Sequence, residues 1–135
     1  MNRRGFLVAA TALAIAPAAR ASDMLDYSDG LIEQALAEGK TVFVDYSADW
    51  CSTCLRQERV VEALRSENPK YDEAMIFVRV DWDRFKSHKV ATARKIPRRS
   101  TLILLRGDQE LGRIVAGTSQ DVIKELMDKG LKSGA

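Results

Sequence analysis

Hydrophobic and polar positions along the chain follow two periods, one typical of buried strands and one of amphipathic helices. Short runs of β-branched, aromatic and aliphatic residues predict four strands: TVFVDYSA from Thr41, MIFVRVD over 75–81, TLILL over 101–105, and LGRIVAG after a turn over 106–109. Four helices are predicted around them: 31–39 with a cap at Ser28-Asp29, 51–68, a polar crossover over 84–95, and 119–129 with Gly130 as its cap. The resulting αβαβαββα order predicts an α/β fold with a central mixed β-sheet and helices on both faces.

The first residues have the three-part pattern of a secretory signal peptide. Paired arginines precede an unbroken apolar run over 6–16, and small residues flank Arg20 at the positions that a signal peptidase reads. The run is shorter than the roughly 20 residues that span a bilayer, which favours a cleaved leader over a retained anchor. The Arg-Arg-Gly-Phe-Leu order resembles a twin-arginine signal, and ordinary secretion is also compatible with it. We expect a leader over 1–21, one domain over 22–135 and a periplasmic location.

Removal of the leader changes the charge of the chain. The whole sequence has 21 basic and 19 acidic residues, and the leader holds three arginines and no acid, which leaves 18 against 19 and a net charge of −1. No basic stripe is interleaved with aromatic residues, so nucleic acid is not an expected partner. The mature length fits one ordinary globular domain, which we expect to be a monomer.

The only two cysteines, Cys51 and Cys54, form a C-x-x-C pattern between a predicted strand and a predicted helix. A structural zinc site needs about four ligands, and the only histidine, His88, lies in the polar crossover, where a solvated side chain is expected. Haem attachment is excluded because Leu55, not histidine, follows the pair. A clip across two residues removes little entropy from the unfolded chain. Since the first turn of a helix favours a thiolate, the pattern predicts a redox couple with Cys51 exposed and Cys54 facing inward.

The stretch VDYSADWCSTC, residues 44–54, resembles the segment that leads from a strand into the active site in the thioredoxin superfamily. Its A-D-W-C order is most similar to the C-terminal thioredoxin-like domain of the bacterial transmembrane disulfide interchange protein DsbD. The likeness in element order covers nearly the whole mature chain, and the motifs are sharp around 44–54 and weaker around 101–117. The resemblance implies a thioredoxin-like fold and thiol–disulfide exchange with protein disulfides as substrates.

The resemblance assigns roles to four residues of this stretch. Cys51 matches the attacking thiolate and Cys54 the resolving thiol of a redox-active disulfide. Trp50 matches an indole that shapes the docking surface and also packs as a core aromatic. Asp45 matches a buried strand carboxylate that assists proton transfer at the inner thiol, with a pKa raised by burial; a surface aspartate is the alternative. The family often places a lysine opposite this carboxylate on the next strand, and we expect Phe77 at that position in this chain.

A second departure concerns the cis-proline that precedes the TL-apolar strand of the family and faces the thiols. Aligned without gaps, Ser100 takes its place, whereas Pro97 fills it only if the three residues that follow are an insertion. We expect Ser100 to face Cys51 from a loop over 96–101. A cis bond before a residue other than proline costs about 2.5–4 kcal/mol, so a trans Arg99–Ser100 bond is expected.

These features favour an exported thiol–disulfide oxidoreductase that works without a cofactor or a resident metal. The DsbD likeness implies the reducing direction and a membrane electron donor, whereas the residues alone leave the direction open. One alternative is a module that binds or delivers Cu(I) through the same two thiolates, although no Met or His lies near the pair in sequence. A further alternative is a redox-silent binding module in which the cysteines form a clip.

Overall fold

The computed structural model describes residues 23–133, so the expected leader over 1–21 and its cleavage site lie outside the described residues. The elements in chain order are β1 (Leu25–Asp26), α1 (Leu31–Ala37), β2 (Thr41–Ser47), α2 (Ser52–Glu67), α3 (Lys70–Ala74), β3 (Met75–Asp81), α4 (Trp82–Phe85), α5 (Lys89–Thr92), β4 (Thr101–Arg106), β5 (Gln109–Val115) and α6 (Gln120–Ser133). Within residues 23–133, no helix combines the length and the apolar character needed to cross a membrane.

Five strands form one mixed sheet in the order β1-β3-β2-β4-β5. β3 pairs in parallel with β1 and β2, and β4 pairs antiparallel with β2 and β5. The α/β class, the mixed sheet and the four predicted strands are confirmed. β2 at the centre is buried at every residue, Asp45 included, because helices cover both faces of the sheet. The sequence pattern does not predict β1 and α3, because elements of two and five residues are too short to show a period.

Alternate residues of the central strands face two separate hydrophobic clusters, one on each side of the sheet. One cluster joins the sheet to α1 and α5, and its members include Val42, Val44, Val78, Val80, Ile103, Ile32 and Val90. The other joins the sheet to α2, α3 and α6, and its members include Phe43, Phe77, Leu102, Leu104, Val61, Tyr71 and Ile123. Helices therefore cover both faces, as predicted. By the alternation of a strand, Asp45 and Ser47 share the second face with Phe43 and lie on the side of α2.

The predicted ends of two helices are wrong. α1 begins after Gly30, which closes the turn with a φ of 87°, and no side chain of the predicted Ser28-Asp29 cap contributes a capping hydrogen bond. α6 does not end at Gly130 but continues to Ser133. Gly130 is a contact residue inside the helix, since a side-chain carbon there would collide with the sulfur of Met75. Helix-end signals are local: the turn at Gly30 replaces the predicted cap of α1, and packing against Met75 keeps Gly130 inside α6.

The polar crossover over 84–95 is not one helix. It consists of α4 and α5, and His88 between them caps α5 by accepting the N–H of Val90 on Nδ1 at 3.0 Å. The His88 Nε2 lies 3.5 Å from an Asp29 carboxylate oxygen, and its ring meets the ring of Tyr27 edge-on. The expectation of a merely solvated histidine is therefore wrong: His88 is half-buried and organises the crossover that leads to the loop over 96–100.

Candidate active site

The thiol pair lies where the central strand β2 turns into helix α2. The Cys51 N–H donates to the carbonyl of Ala48 at 3.1 Å and closes the turn. Cys51 is the N-cap of α2: its Sγ accepts the N–H of Cys54 at 3.2 Å, and its carbonyl accepts the N–H of Leu55 at 3.1 Å. The sulfur takes the place of a capping oxygen, so the first turn of α2 directs an N–H and its partial positive charge at Cys51.

Both cysteines are free thiols and both are buried. Cys51 is 3% exposed and Cys54 is 0% exposed, so the prediction of an exposed Cys51 is wrong. The two residues form a small cluster with Ala48 and the half-buried Trp82. Ser100 contacts Cys51 across 49 positions of the chain. Cys51 is thus buried by a residue that is distant in sequence, and the sequence pattern around the cysteines does not predict this burial.

Ser100 lies against both sulfurs. Its Oγ is 3.1 Å from the Cys51 Sγ and 3.0 Å from the Cys54 Sγ, and the residue is fully buried. Pro97, by contrast, is exposed. The Arg99–Ser100 peptide bond is trans, and Ser100 has a φ of 61°, in the left-handed region that few residues with side chains adopt. The segment opposite the thiols therefore presents a hydroxyl and not a proline ring.

Backbone contacts hold Ser100 in this conformation. Its N–H donates to the carbonyl of Tyr46 on β2 at 2.7 Å, and its own carbonyl accepts the N–H of Ala116 at 2.8 Å. The buried Gln57 of α2 donates from Nε2 to the same Ser100 carbonyl at 3.0 Å and to the carbonyl of Gly117 at 2.9 Å. Gln57 is a site residue that was not predicted from the sequence. The available signal was a polar residue on the apolar face of a predicted amphipathic helix.

The two thiols have unequal acidity. Burial opposes ionisation of Cys51, but hydrogen bonds from the Cys54 thiol, the Ser100 hydroxyl and the Cys54 N–H, together with the Arg99 side chain, outweigh burial and lower the pKa of Cys51 to about 7. Burial and the hydrogen bond with Cys51 raise the pKa of Cys54. At neutral pH a large fraction of Cys51 is therefore thiolate, the nucleophilic form, while Cys54 keeps its proton.

Asp45 is fully buried on the sheet face that α2 covers, so the alternative of a surface aspartate is wrong. Neither of its oxygens has a hydrogen-bond partner among the described residues. Burial and the nearby Glu58 raise the pKa of Asp45 to about 8, against the opposing charge of Arg79. The strand register pairs Asp45 with Arg79, whereas Phe77 lies opposite Phe43. The prediction of an apolar partner is also wrong, because the next strand supplies a cation at the family's lysine position.

Charged groups extend from Arg79 to the surface. Its Nη2 is 2.6 Å from Asp49 Oδ1, and its Nε is 3.3 Å from Glu58 Oε1. Burial raises the pKa of Glu58, and Arg79 opposes that shift. Glu58 and Arg79 line an open polar cleft between β1 and α2. The buried carboxylate of Asp45 thus belongs to a group of titratable residues that reaches solvent.

Trp50 forms an exposed surface beside the active-site turn. Its side chain is 60% exposed, so the expectation that it also packs in the core is wrong. The indole Nε1 donates to Asp83 Oδ2 at 2.7 Å, and the Arg99 guanidinium lies 4.3 Å from the centre of the ring. One contact fixes the ring nitrogen of the indole and the other lies over the face of its ring. The fixed indole is a rigid apolar surface, which suits the docking of a protein partner next to Cys51.

The site has the parts needed for disulfide exchange. A thiolate at a helix start attacks a disulfide sulfur, and a second thiol one turn away resolves the mixed disulfide. Within residues 23–133, no group of three or more His, Cys, Asp or Glu side chains is placed to hold a metal ion. A dithiol of this kind, on a mixed sheet covered by helices on both faces, defines a thiol–disulfide oxidoreductase with the thioredoxin fold.

Comparisons with known proteins define the family. Residues 23–125 match the family model described as Thioredoxin-like, and the chain belongs to that family. A thioredoxin of Echinococcus granulosus is 30% identical over 96 residues, which are 71% of this chain and 83% of the relative. A Thioredoxin H-type of Fagopyrum esculentum is 29% identical over 94 residues, 70% of this chain and 76% of the relative. The crystal structure of Trxlp from Edwardsiella tarda has a TM-score of 0.65 at 35% identity and covers 77% of this chain and 98% of its own. The superfamily assignment made from the motif is confirmed.

Cys51 should be alkylated at lower pH than Cys54. With iodoacetamide and peptide mass spectrometry, we expect a half-maximal rate for Cys51 near pH 7 and for Cys54 at a higher pH. The pH midpoint is the readout, because burial also lowers the absolute rate. In urea-unfolded protein both midpoints should return to about 8.5. Equal midpoints in the folded protein, or a lower one for Cys54, would contradict the assignment of the nucleophile.

Asp45→Asn should stabilise the fold, and more at high pH than at low pH. The folded-state pKa of Asp45 is about 8, above the usual value of about 3.9 in an unfolded chain. The wild-type protein therefore loses stability as the pH rises from about 4 to about 8, because only the folded state keeps the proton, and the asparagine variant escapes this loss. The gain at pH 8 should exceed the gain at pH 4.5 by a few kcal/mol, because each unit by which the folded pKa lies above the unfolded one corresponds to about 1.4 kcal/mol of stability that the wild-type protein loses.

Urea unfolding at pH 4.5 and pH 8 measures this effect, with Asp108→Asn at the exposed β4–β5 turn as the matched control. Disulfide exchange by Asp45→Asn should slow at the same time and change its pH dependence, because the variant cannot accept a proton. Unchanged exchange rates together with the stability gain would show that Asp45 is buried without acting in proton transfer.

Proposed function

We propose that this protein is an exported disulfide reductase. Its Cys51–Cys54 dithiol passes two electrons to disulfides of client proteins outside the cytoplasm, and a membrane protein of the DsbD type reduces it again. The dithiol and the family provide the class of reaction. The direction, the compartment and the electron donor go beyond that class, and each has its own support.

The moderate acidity of Cys51 is the observation that favours the reducing direction. Its pKa is about 7, which is close to the value of about 7 in thioredoxin and far above that of about 3.5 in the oxidant DsbA. A strongly acidic thiolate stabilises the dithiol form and makes a couple oxidising. Burial works against the Cys51 thiolate and limits this stabilisation, so the dithiol gives up its electrons more readily.

The N-terminal pattern favours export. The arginine pair, the apolar run over 6–16 and the small residues before Ser22 are together typical of a secretory signal. The match to the family begins at residue 23, directly after this segment. Protein disulfides persist outside the cytoplasm, so a reductase has substrates there.

The A-D-W-C stretch over 48–51, similar to that of the C-terminal domain of DsbD, favours a membrane electron donor of that type. Trp50 is 60% exposed and Leu55 is 40% exposed, one on each side of the C-x-x-C pair in sequence. Exposed apolar side chains of this kind are available for docking a protein partner. Because donor and client both exchange with Cys51, the two would use this surface in turn.

The reduction potential of the purified protein should lie closer to thioredoxin, about −270 mV, than to DsbA, about −120 mV. Equilibration in buffers of defined dithiothreitol ratio, followed by thiol trapping, measures it. A midpoint near that of DsbA would contradict the reducing direction, and a pair that does not reduce reversibly would indicate the redox-silent alternative. Copper retained in stoichiometric amount after purification would favour the Cu(I) alternative.

Export should be visible in a Gram-negative host that expresses the full chain as the Cys54→Ser variant. We expect periplasmic protein that begins at Ser22, and mixed disulfides through Cys51 with clients and with a membrane protein of the DsbD type, because the resolving thiol is absent. The Cys51→Ser variant is the matched control and should trap nothing. Protein that remains in the cytoplasm with an intact N-terminus would contradict the proposed compartment.

A further inference from the structure

One hydroxyl contacts both reacting sulfurs of this site. Ser100 Oγ is 3.1 Å from the Cys51 Sγ and 3.0 Å from the Cys54 Sγ. Within residues 23–133, Oγ makes hydrogen bonds to these two atoms alone. A hydroxyl has one hydrogen, so Ser100 can donate to only one of the two sulfurs at a time and must accept from, or merely contact, the other.

Backbone hydrogen bonds, and not the hydroxyl, hold the main chain of Ser100 beside the two sulfurs. The Ser100 backbone is held through its N–H by Tyr46 and through its carbonyl by Gln57 and Ala116. These contacts fix Cα and Cβ, and the side-chain rotamer places Oγ against both sulfurs, so the hydroxyl hydrogen can turn between them about the Cβ–Oγ bond. Two acceptors at nearly equal distance, 3.1 and 3.0 Å, give that rotation two alternative end points.

We propose that Ser100 is a further catalytic residue, a switched hydrogen-bond donor that serves the Cys51 thiolate in the first exchange step and the Cys54 thiolate in the second. A proline at this position has no side-chain donor, so the switch is a property of the Ser100 side chain. The inference rests on the disulfide-exchange activity of the dithiol. It does not depend on export, on the electron donor or on the net direction.

In the first step the O–H donates to the Cys51 thiolate, which attacks a client disulfide. A Cys51–client disulfide forms, the client disulfide breaks, and the departing client thiolate takes a proton from solvent. Cys51 has then lost its negative charge and is a weak acceptor. The strong acceptor is now the Cys54 sulfur, once its proton has passed to a general base and from there to solvent.

In the second step the O–H has rotated and donates to the Cys54 thiolate. This thiolate attacks the Cys51 sulfur, the Cys51–client bond breaks, and the second client thiolate leaves and is protonated by solvent. The dithiol loses two electrons, which the client receives with two protons. Because a hydrogen bond to a charged acceptor is stronger than one to a neutral acceptor, the hydroxyl follows the charge from one sulfur to the other.

Ellman's reagent reports the two steps separately in the purified protein. With one equivalent in a stopped-flow instrument, the first thionitrobenzoate is released when Cys51 attacks, and the second when Cys54 resolves the Cys51–thionitrobenzoate disulfide. The pH midpoint of each phase reports the ionisation of one thiol. In Ser100→Ala we expect both midpoints to rise by about one pH unit, as for the loss of one hydrogen bond to a charged group. Both rates below the midpoints should fall roughly threefold, because the smaller thiolate fraction is partly offset by the greater nucleophilicity of a thiolate with a higher pKa.

Two further variants keep the test decisive. Ser100→Gly removes the same hydroxyl and is the residue that best tolerates a φ of 61°, so it provides the result if the alanine variant folds poorly. Ser47→Ala removes another fully buried hydroxyl, one that has no hydrogen-bond partner among the described residues, and should leave both midpoints unchanged. A shift of both phases in the Ser100 variants alone supports the switch.

Other outcomes overturn the proposal. If only the first midpoint rises, Ser100 stabilises the Cys51 thiolate without switching; if only the second rises, it serves Cys54 alone. If neither moves in Ser100→Gly, the hydroxyl has no part in either step. Since the assay uses a small disulfide and pure protein, its failure leaves the export and direction experiments unaffected, and their failure leaves this assay unaffected.

Discussion

The site depends on the way the peptide groups of Ser100 are held between the sheet and α2. The N–H of Ser100 bonds to β2, while its carbonyl receives hydrogen bonds from the segment after β5 and from Gln57. Buried backbone groups need partners of this kind. A residue with a side chain and a φ of 61° is strained, and it keeps this conformation only where the contacts around it offset the strain. These three contacts bring a hydroxyl to both sulfurs and bury Cys51 under it.

Burial disfavours the charged form in both halves of the site, and hydrogen-bond donors decide which group ionises. For the thiols, burial alone disfavours ionisation, and the donors around Cys51 reverse this for one sulfur only. For Asp45, no donor compensates, and the carboxyl keeps its proton near neutral pH. At neutral pH a large fraction of Cys51 is therefore thiolate, whereas Asp45 stays protonated on the sheet face that α2 covers. Arg79 and Glu58 lie between Asp45 and solvent.

The parts of the fold that could be predicted from sequence are those with local causes. The bounds of β3 and the start of β4 follow from runs of apolar and β-branched residues. Such residues favour strands, whose side chains then pack in a half-buried or buried sheet. Burial of Asp45 was expected because strands tolerate aspartate poorly without a reason. The partner of Asp45 was misread by two residues, from Arg79 to Phe77, because strand register depends on pairing with the neighbour and not on the strand alone.

The sequence by itself determined the α/β class and the C-x-x-C couple at a helix start, since each is a matter of residue type and spacing, and its resemblance to the family placed Ser100 where the family has a proline. Only the tertiary structure decided that Cys51 is buried, that Trp50 is exposed between Asp83 and Arg99, and that Gln57 holds the loop opposite the thiols. The reason is separation along the chain. Ser100 contacts Cys51 across 49 positions of the chain, and Gln57 contacts Gly117 across 60. Contacts between residues so far apart in sequence arise from the packing of the elements, and a local pattern of hydrophobic and polar residues does not predict them.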